Sequence, residues 1–240
     1  ADKHLPGLVY GVVFDGALIH SRARGFADVE KKIPAAADTR FRIASMTKSF
    51  VALAILKLRD EGRLALADPV AKHLPEFARV HPPTSDSPPI TLWNLLTMTP
   101  GLPEDNPWGD RQMAITNDAI EKFVGAGLSF ANPPGQAYEY SNLGFVLLGK
   151  IVSKTSGQRF QDYITQNILR PLGMKDTTFW PNEEQVSRLA KPYKPSADKT
   201  KLEETTIGQL TYPLSRRDNR YPMPAGGLFS TATEIGRAHV

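Results

Sequence analysis

The chain has 240 residues, 41% of them hydrophobic and 22% charged, enough for one large domain or two small ones around a buried core. Its formal net charge of +4 is scattered, with a loose cluster only at Arg216, Arg217 and Arg220, so no nucleic-acid partner is expected. The absence of cysteine excludes disulfides, thiol catalysis and zinc–cysteine sites, and no stretch approaches the ~18 continuous apolar residues of a membrane span. The chain opens at Ala1 without a methionine, as a mature exported protein or a trimmed chain would. A periplasmic or secreted location is the expectation, with a cytoplasmic one left open.

Leu8 to Phe14 is rich in β-formers, Asp15-Gly16 is a two-residue hairpin signal, and Ala17 to Arg24 returns as the second strand. Phe26 to Arg40 reads as a loop leading into a helix. That helix carries an apolar run from Phe50 to Leu58, interrupted only by Lys57, and stops at Gly62. Asp68-Pro69 to Pro89 is Pro-punctuated and holds at most short helical turns. Thr91 caps a helix that presents Leu92, Leu95 and Leu96 and ends before Pro100-Gly101, and Asn117 caps another that runs to about Gly125. Pro133 to Asn142 is an extended approach to a further helix, Leu143 to Lys154, and Asn182 to Arg220 reads as a long polar surface excursion.

Two stretches carry chemistry. In Ser45-Met46-Thr47-Lys48 the hydroxyl and the ammonium fall at i and i+3, on one face of the first turn of a buried helix. Lysine is disfavoured there, because the helix dipole is positive at its N-terminus and a capping box would use Glu. Desolvation and the dipole both favour the neutral amine that a base beside serine needs. The bland alternative is an N-cap serine followed by a solvated lysine. Ser196-x-x-Lys199 has the same spacing in a polar, Pro-flanked loop with no apolar helix behind it, and reads as coincidence. The second stretch is Tyr140-Ser141-Asn142, a phenol and an amide in the turn before a helix, able to face one cleft; taken alone it also fits an ordinary N-cap with a packed aromatic.

Other signals fall away. Gly144, four apolar residues, Gly149 and Lys150 begin a phosphate-loop pattern, but Ile151 stands where Ser or Thr is required. His4, His20, His73, His81 and His239 have no metal-ligand spacing and no readable Ser-His-acid pattern, so neither a metal site nor a cofactor is expected.

Together, Ser45-x-x-Lys48 and Tyr140-Ser141-Asn142 resemble the first two motifs of the serine β-lactamase and penicillin-binding-protein superfamily. Phe41 to Lys48, Asp68-Pro69-Val70, Leu95-Leu96-Thr97, Pro171 to Met174 and Ala225 to Leu228 resemble its class C β-lactamase-like branch, and the likeness covers nearly the whole chain. This branch includes D,D-peptidases, D-amino-acid amidases and carboxylesterases. The resemblance implies an α/β (α+β type) fold: an antiparallel sheet flanked by helices, plus a mostly helical domain. Residues 1–62 and 222–240 would belong to the α/β domain and 63–221 to the helical one, with the polar loop near 182–220.

The resemblance also implies a serine hydrolase acting through an acyl-enzyme on an ester, a β-lactam or a D-amino-acid amide or peptide, that is, a small-molecule or peptide-like acyl substrate. Ser45 would be the nucleophile, with its own N–H as an oxyanion donor. Lys48 and Tyr140 would share proton transfer, either able to serve as the base, and Asn142 would bind the substrate amide or the lysine. Substrate walls would come from Asn106 to Ile115 and Asn182 to Arg220.

Three departures accompany it. Met98 and Pro100 stand where the family usually has His and Ser, and the third motif, Lys-Thr-Gly or His-x-Gly on a strand, does not appear. Lys154-Thr155-Ser156-Gly157 lies at a helix end, too near Tyr140 to be that strand. The expectation is therefore a chain that lacks the C-terminal strands of the fold, supplied by a missing segment or a second chain, with an N-terminal hairpin left open at its edge. The reading from a different class is a non-catalytic binding or scaffold relative.

Overall fold

The computed structural model describes residues 5–104, 115–206 and 224–237. The expected wall segment around Asn106, the end of the polar excursion beyond Thr206, the arginine cluster at 216–220, His4 and His239 lie outside them. The described residues form antiparallel strand pairs and helices, a mixed α/β architecture that divides into two compact units.

The first unit comprises residues 1–43, 169–211 and 228–240. Strands β1 (Gly7–Phe14) and β2 (Ala17–Asp28) make the hairpin, and Asp15 and Gly16, at φ 48° and 71°, supply the two left-handed residues that its tight turn needs. β2 runs four residues beyond the expected end, because β3 (Ile33–Pro34) folds back onto Phe26 and Asp28. Part of the stretch read as loop is thus strand. β1 stands at an edge of this sheet. β4 (Phe41–Arg42) pairs with β7 (Phe229–Ser230), and α8 (Ala232–Arg237), capped by the Thr231 hydroxyl, packs on β1 and β2.

The polar excursion begins with α7 (Glu183–Ser187), capped by Asn182, and continues into a hairpin of β5 (Tyr193–Pro195) and β6 (Leu202–Glu204). Sequence had grouped it with the helical domain. In the structure Arg40 N–H donates to Arg188 O, Ala190 N–H to Arg40 O and Lys191 N–H to Ala27 O, so the segment is laced to the end of β2 and to the residue before β4. Ser196 and Lys199 occupy the β5–β6 turn, where the Ser196 hydroxyl is held by Asp198 and Lys199 sits at φ 59°. The shared Ser-x-x-Lys spacing there has no helix to put the two side chains on one face.

The second unit spans residues 44–168 and 212–227, and its described residues are mainly helical. α1 (Thr47–Asp60) packs on α5 (Asn142–Ser156) and α6 (Phe160–Ile164), and a π-turn, Thr165–Leu169, extends α6. Val51, Ala54, Ile55 and Leu58 of α1 and Val146, Leu147, Leu148, Ile151 and Val152 of α5 have no more than 0% exposure. This is why α1 sits with the helices rather than with the hairpin, as the sequence-based boundary at residue 62 had it. Short α2 (Val70–His73), α3 (Leu92–Leu96) and α4 (Asn117–Gly125) complete the unit; Thr91 forms a full capping box on α3, and Thr116, one residue before the expected Asn117, caps α4. The phosphate-loop lookalike lies inside α5, where Lys150 is buried and pairs with Glu121 at 2.7 Å and Glu76 at 3.5 Å. Among the described residues, no helix is long and apolar enough to cross a membrane.

Candidate active site

Ala44 opens the site with φ 46°, a left-handed backbone that costs a non-glycine residue on the order of 1–3 kcal/mol and that recurs at functional turns. The Thr47 hydroxyl donates to Ala44 O at 2.7 Å and holds the bend. Ala44–Met46 then form a single 3₁₀ turn that leads into α1. Ser45 is therefore not the α-helical N-cap of the bland alternative, but sits in the 3₁₀ turn just ahead of the helix and is exposed. Its N–H belongs to the first helical turn, whose amides lack intrahelical acceptors.

Lys48, by contrast, is only 6% exposed. Its Nζ donates to Ser45 Oγ at 3.2 Å, to Asn142 Oδ1 at 2.8 Å and to the carbonyl of Ala225 at 2.8 Å. The Tyr140 hydroxyl donates to Ser45 Oγ at 2.7 Å. The amine also lies 4.9 Å from the centre of the Tyr140 ring and 5.7 Å from that of Phe145, over faces that favour a cation.

These positions follow from local sequence. Ser141 caps α5, its hydroxyl accepting from Gly144 N–H at 3.1 Å, so Tyr140 lies just outside the helix and Asn142 in its first turn. The structure thus brings Ser45, Lys48, Tyr140 and Asn142 together, and of the two partners expected for Asn142 it shows the lysine. Ala225 was legible only as part of a motif: a backbone carbonyl leaves no signature in residue type.

The three contacts would satisfy Lys48 as an ammonium, and the same geometry would also hold it as a neutral amine. A neutral amine has two N–H bonds, and the two shorter contacts, to Asn142 Oδ1 and Ala225 O, use both. In the neutral form the lone pair would be left for the Ser45 hydroxyl proton, as proton abstraction requires. One face of Ser45 Oγ meets a phenol and another an amine, while the serine itself is open to solvent.

The Beta-lactamase family profile matches residues 1–239. Protein flp of Staphylococcus aureus strain MW2 is 40% identical over 182 residues, covering 73% of this chain and 35% of flp. The D-alanyl-D-alanine-carboxypeptidase/endopeptidase AmpH of Escherichia coli K12 is 36% identical over 200 residues, covering 78% of this chain and 51% of AmpH. Among solved structures, the octameric penicillin-binding protein homologue from Pyrococcus abyssi superposes with a TM-score of 0.79 at 29% identity, covering 97% of this chain and 51% of that one. The chain thus spans between a third and about half of the length of these relatives.

Proposed function

The chain belongs to the Beta-lactamase family, a family of serine hydrolases, and from that membership we propose that it acts by acyl transfer through a covalent intermediate on Ser45. The observation that carries this reading is the convergence of a buried Lys48 amine and a Tyr140 phenol on one exposed serine oxygen. A binding or scaffold relative would have no use for that convergence, since both groups would spend their hydrogen bonds on an oxygen that does nothing.

In the proposed reaction, Ser45 Oγ attacks the substrate carbonyl as its proton passes to Lys48. The oxyanion takes the Ser45 N–H as one donor. Tyr140 delivers its proton to the departing nitrogen or oxygen, and Lys48 restores it; water then attacks the acyl-enzyme by the reverse traffic and frees Ser45. The substrate class we favour is a D-alanyl peptide, with β-lactams as acylating analogues, because AmpH has 36% identity over 78% of this chain. Simple esters are the alternative that the same chemistry serves. A periplasmic or secreted setting would suit a D-alanyl peptide substrate.

Intact mass spectrometry after incubation with a fluorophosphonate, and separately with benzylpenicillin, tests the proposal. One adduct per chain is expected with each reagent, and none in Ser45→Ala. A fluorophosphonate adduct that persists in Ser45→Ala overturns the nucleophile, and a Ser45-dependent fluorophosphonate adduct without a penicilloyl one moves the substrate class to esters.

A further inference from the structure

We propose that Met98 is a positioning residue for Tyr140, clamping the two residues that precede it; the catalytic consequence rests on the acyl-transfer reading above. Met98 is one of the family departures and sits at φ 56°, in the left-handed region that a methionine rarely adopts. That conformation turns its carbonyl to accept from Glu139 N–H at 2.9 Å. Its thioether sulfur accepts from the Tyr138 hydroxyl at 3.3 Å. Tyr138 is 66% exposed, so this hydrogen bond, and not burial, fixes its ring.

The clamp is the last of a series. Asn94, within α3, and Thr97, its C-cap, hold the Thr99 hydroxyl at 3.3 and 2.9 Å. Thr99 O accepts from Gly135 N–H at 2.8 Å, and Gly101 O from Ala131 N–H at 2.8 Å. Gly101 has φ 79°, and a Cβ there would lie 2.0 Å from Asn132 O, so the two loops approach too closely for any other residue. Asn132 in turn donates to the Glu139 carboxylate at 3.1 Å. Residues 97–101 thus grip residues 131–139 along their length and end at Met98, one residue from the phenol that reaches Ser45.

The sulfur contact is the separable part of this grip, because its loss leaves the main-chain bonds in place. A phenol 2.7 Å from its target loses efficiency steeply when displaced, so freeing Tyr138 should slow acylation without unfolding the unit. Tyr138→Phe removes the donor at an exposed site, Met98→Leu removes the acceptor at similar volume, and Met98→Gly relieves the backbone but deletes the side chain.

The test combines ¹⁹F NMR of the 3-fluorotyrosine-labelled chain, the Tyr140 signal assigned by its loss in Tyr140→Phe, with rates of fluorophosphonate labelling. We expect the Tyr140 resonance to move in all three variants. Tyr138→Phe and Met98→Leu should each slow labelling by about tenfold, and the double variant by no more than either alone, as for two ends of one contact. An unmoved Tyr140 resonance, or effects that multiply in the double variant, would overturn the clamp. A resonance that moves in a chain whose Ser45 takes no label would uphold the clamp and count against the acyl-transfer reading, so the two proposals fail separately.

Discussion

Lys48 can matter to this site as a charge or as a base, and the two roles separate by substitution. Its Nζ is surrounded by Ser45 Oγ, Asn142 Oδ1 and Ala225 O, three acceptors that would satisfy an ammonium as well as hold an amine. A guanidinium keeps the charge but cannot give it up at any accessible pH. If Lys48 takes the Ser45 proton, Lys48→Arg should therefore label as slowly as Lys48→Ala, each by about 10³-fold, whereas Tyr140→Phe, which keeps the ring and the amine, should lose about 10²-fold. Stopped-flow rates with a chromogenic ester decide it: a Lys48→Arg rate close to that of the unsubstituted chain would reduce Lys48 to an electrostatic role. Lys48 was announced by a broken local rule, a cation at a helix N-terminus, whereas Tyr140 and Asn142, which taken alone also fit an ordinary N-cap with a packed aromatic, were marked by the family resemblance. Ala225 enters through its main-chain carbonyl, where residue type says little.

Elements were legible where their boundaries depend on local chemistry. The Asp15-Gly16 turn, the Thr91 cap and the Gly62 stop, at φ 71°, need only neighbouring residues, and all are where the sequence puts them. β3, the extension of β2, and the β5–β6 hairpin are short local pairings that include Pro, Asp, Lys and Glu, residues with weak strand preference, and periodicity did not register them. Asp68 shows how much one side chain can organise without any periodic signal. Its carboxylate accepts from Ala65 N–H, Lys72 and His73, tying the start of α2 to the preceding turn, and its main-chain carbonyl accepts from Leu92 N–H of α3. Burial alone would raise its pKa, but the Lys72 hydrogen bond, the Ala65 amide, His73 and the Lys72 charge together bring it down from 3.8 to about 2. A depressed carboxylate stabilises the fold above its ordinary value and loses that contribution as pH falls from 3.8 towards 2. A shift of that size corresponds to about 2 kcal/mol. Asp68→Asn should accordingly lower the urea midpoint at pH 7, and its deficit should shrink to about a third at pH 2.5. An equal deficit at both pH values would assign the effect to lost hydrogen-bond geometry and not to charge.

Across the whole molecule the two units keep their interiors in different ways. The helical unit buries aliphatic side chains of α1 and α5 against each other, the pattern that hydrophobic periodicity reports. The hairpin unit hides a polar cluster: Arg40 has 0% exposure and pairs with Asp176, which also takes Arg188 at 2.7 Å, while buried Glu234 accepts from Asp176 N–H and the Thr177 hydroxyl. The Arg188 hydrogen bond, and after it that of Arg40, hold the Asp176 carboxyl below its usual range against the opposing effect of burial. No sequence pattern marks such a cluster, since its members are spread from residue 40 to residue 234.

Its energetics are lopsided. Arg40 Nε and Nη1 have no hydrogen-bond partner among the described residues, so the guanidinium already bears a desolvation penalty that Asp176 offsets. Removing Asp176 leaves a fully buried cation without its counter-ion, a loss of about 3–5 kcal/mol, whereas replacing an ion pair member by an apolar side chain of similar volume is often close to neutral. Asp176→Ala should therefore destabilise strongly, Arg40→Met weakly because Asp176 keeps Arg188, and the double variant less than Asp176→Ala alone. Urea unfolding at pH 7 measures all three. If Arg40→Met proves the more damaging single change, the guanidinium stabilises this unit outright and the pair is not a charge merely kept neutral by its partner.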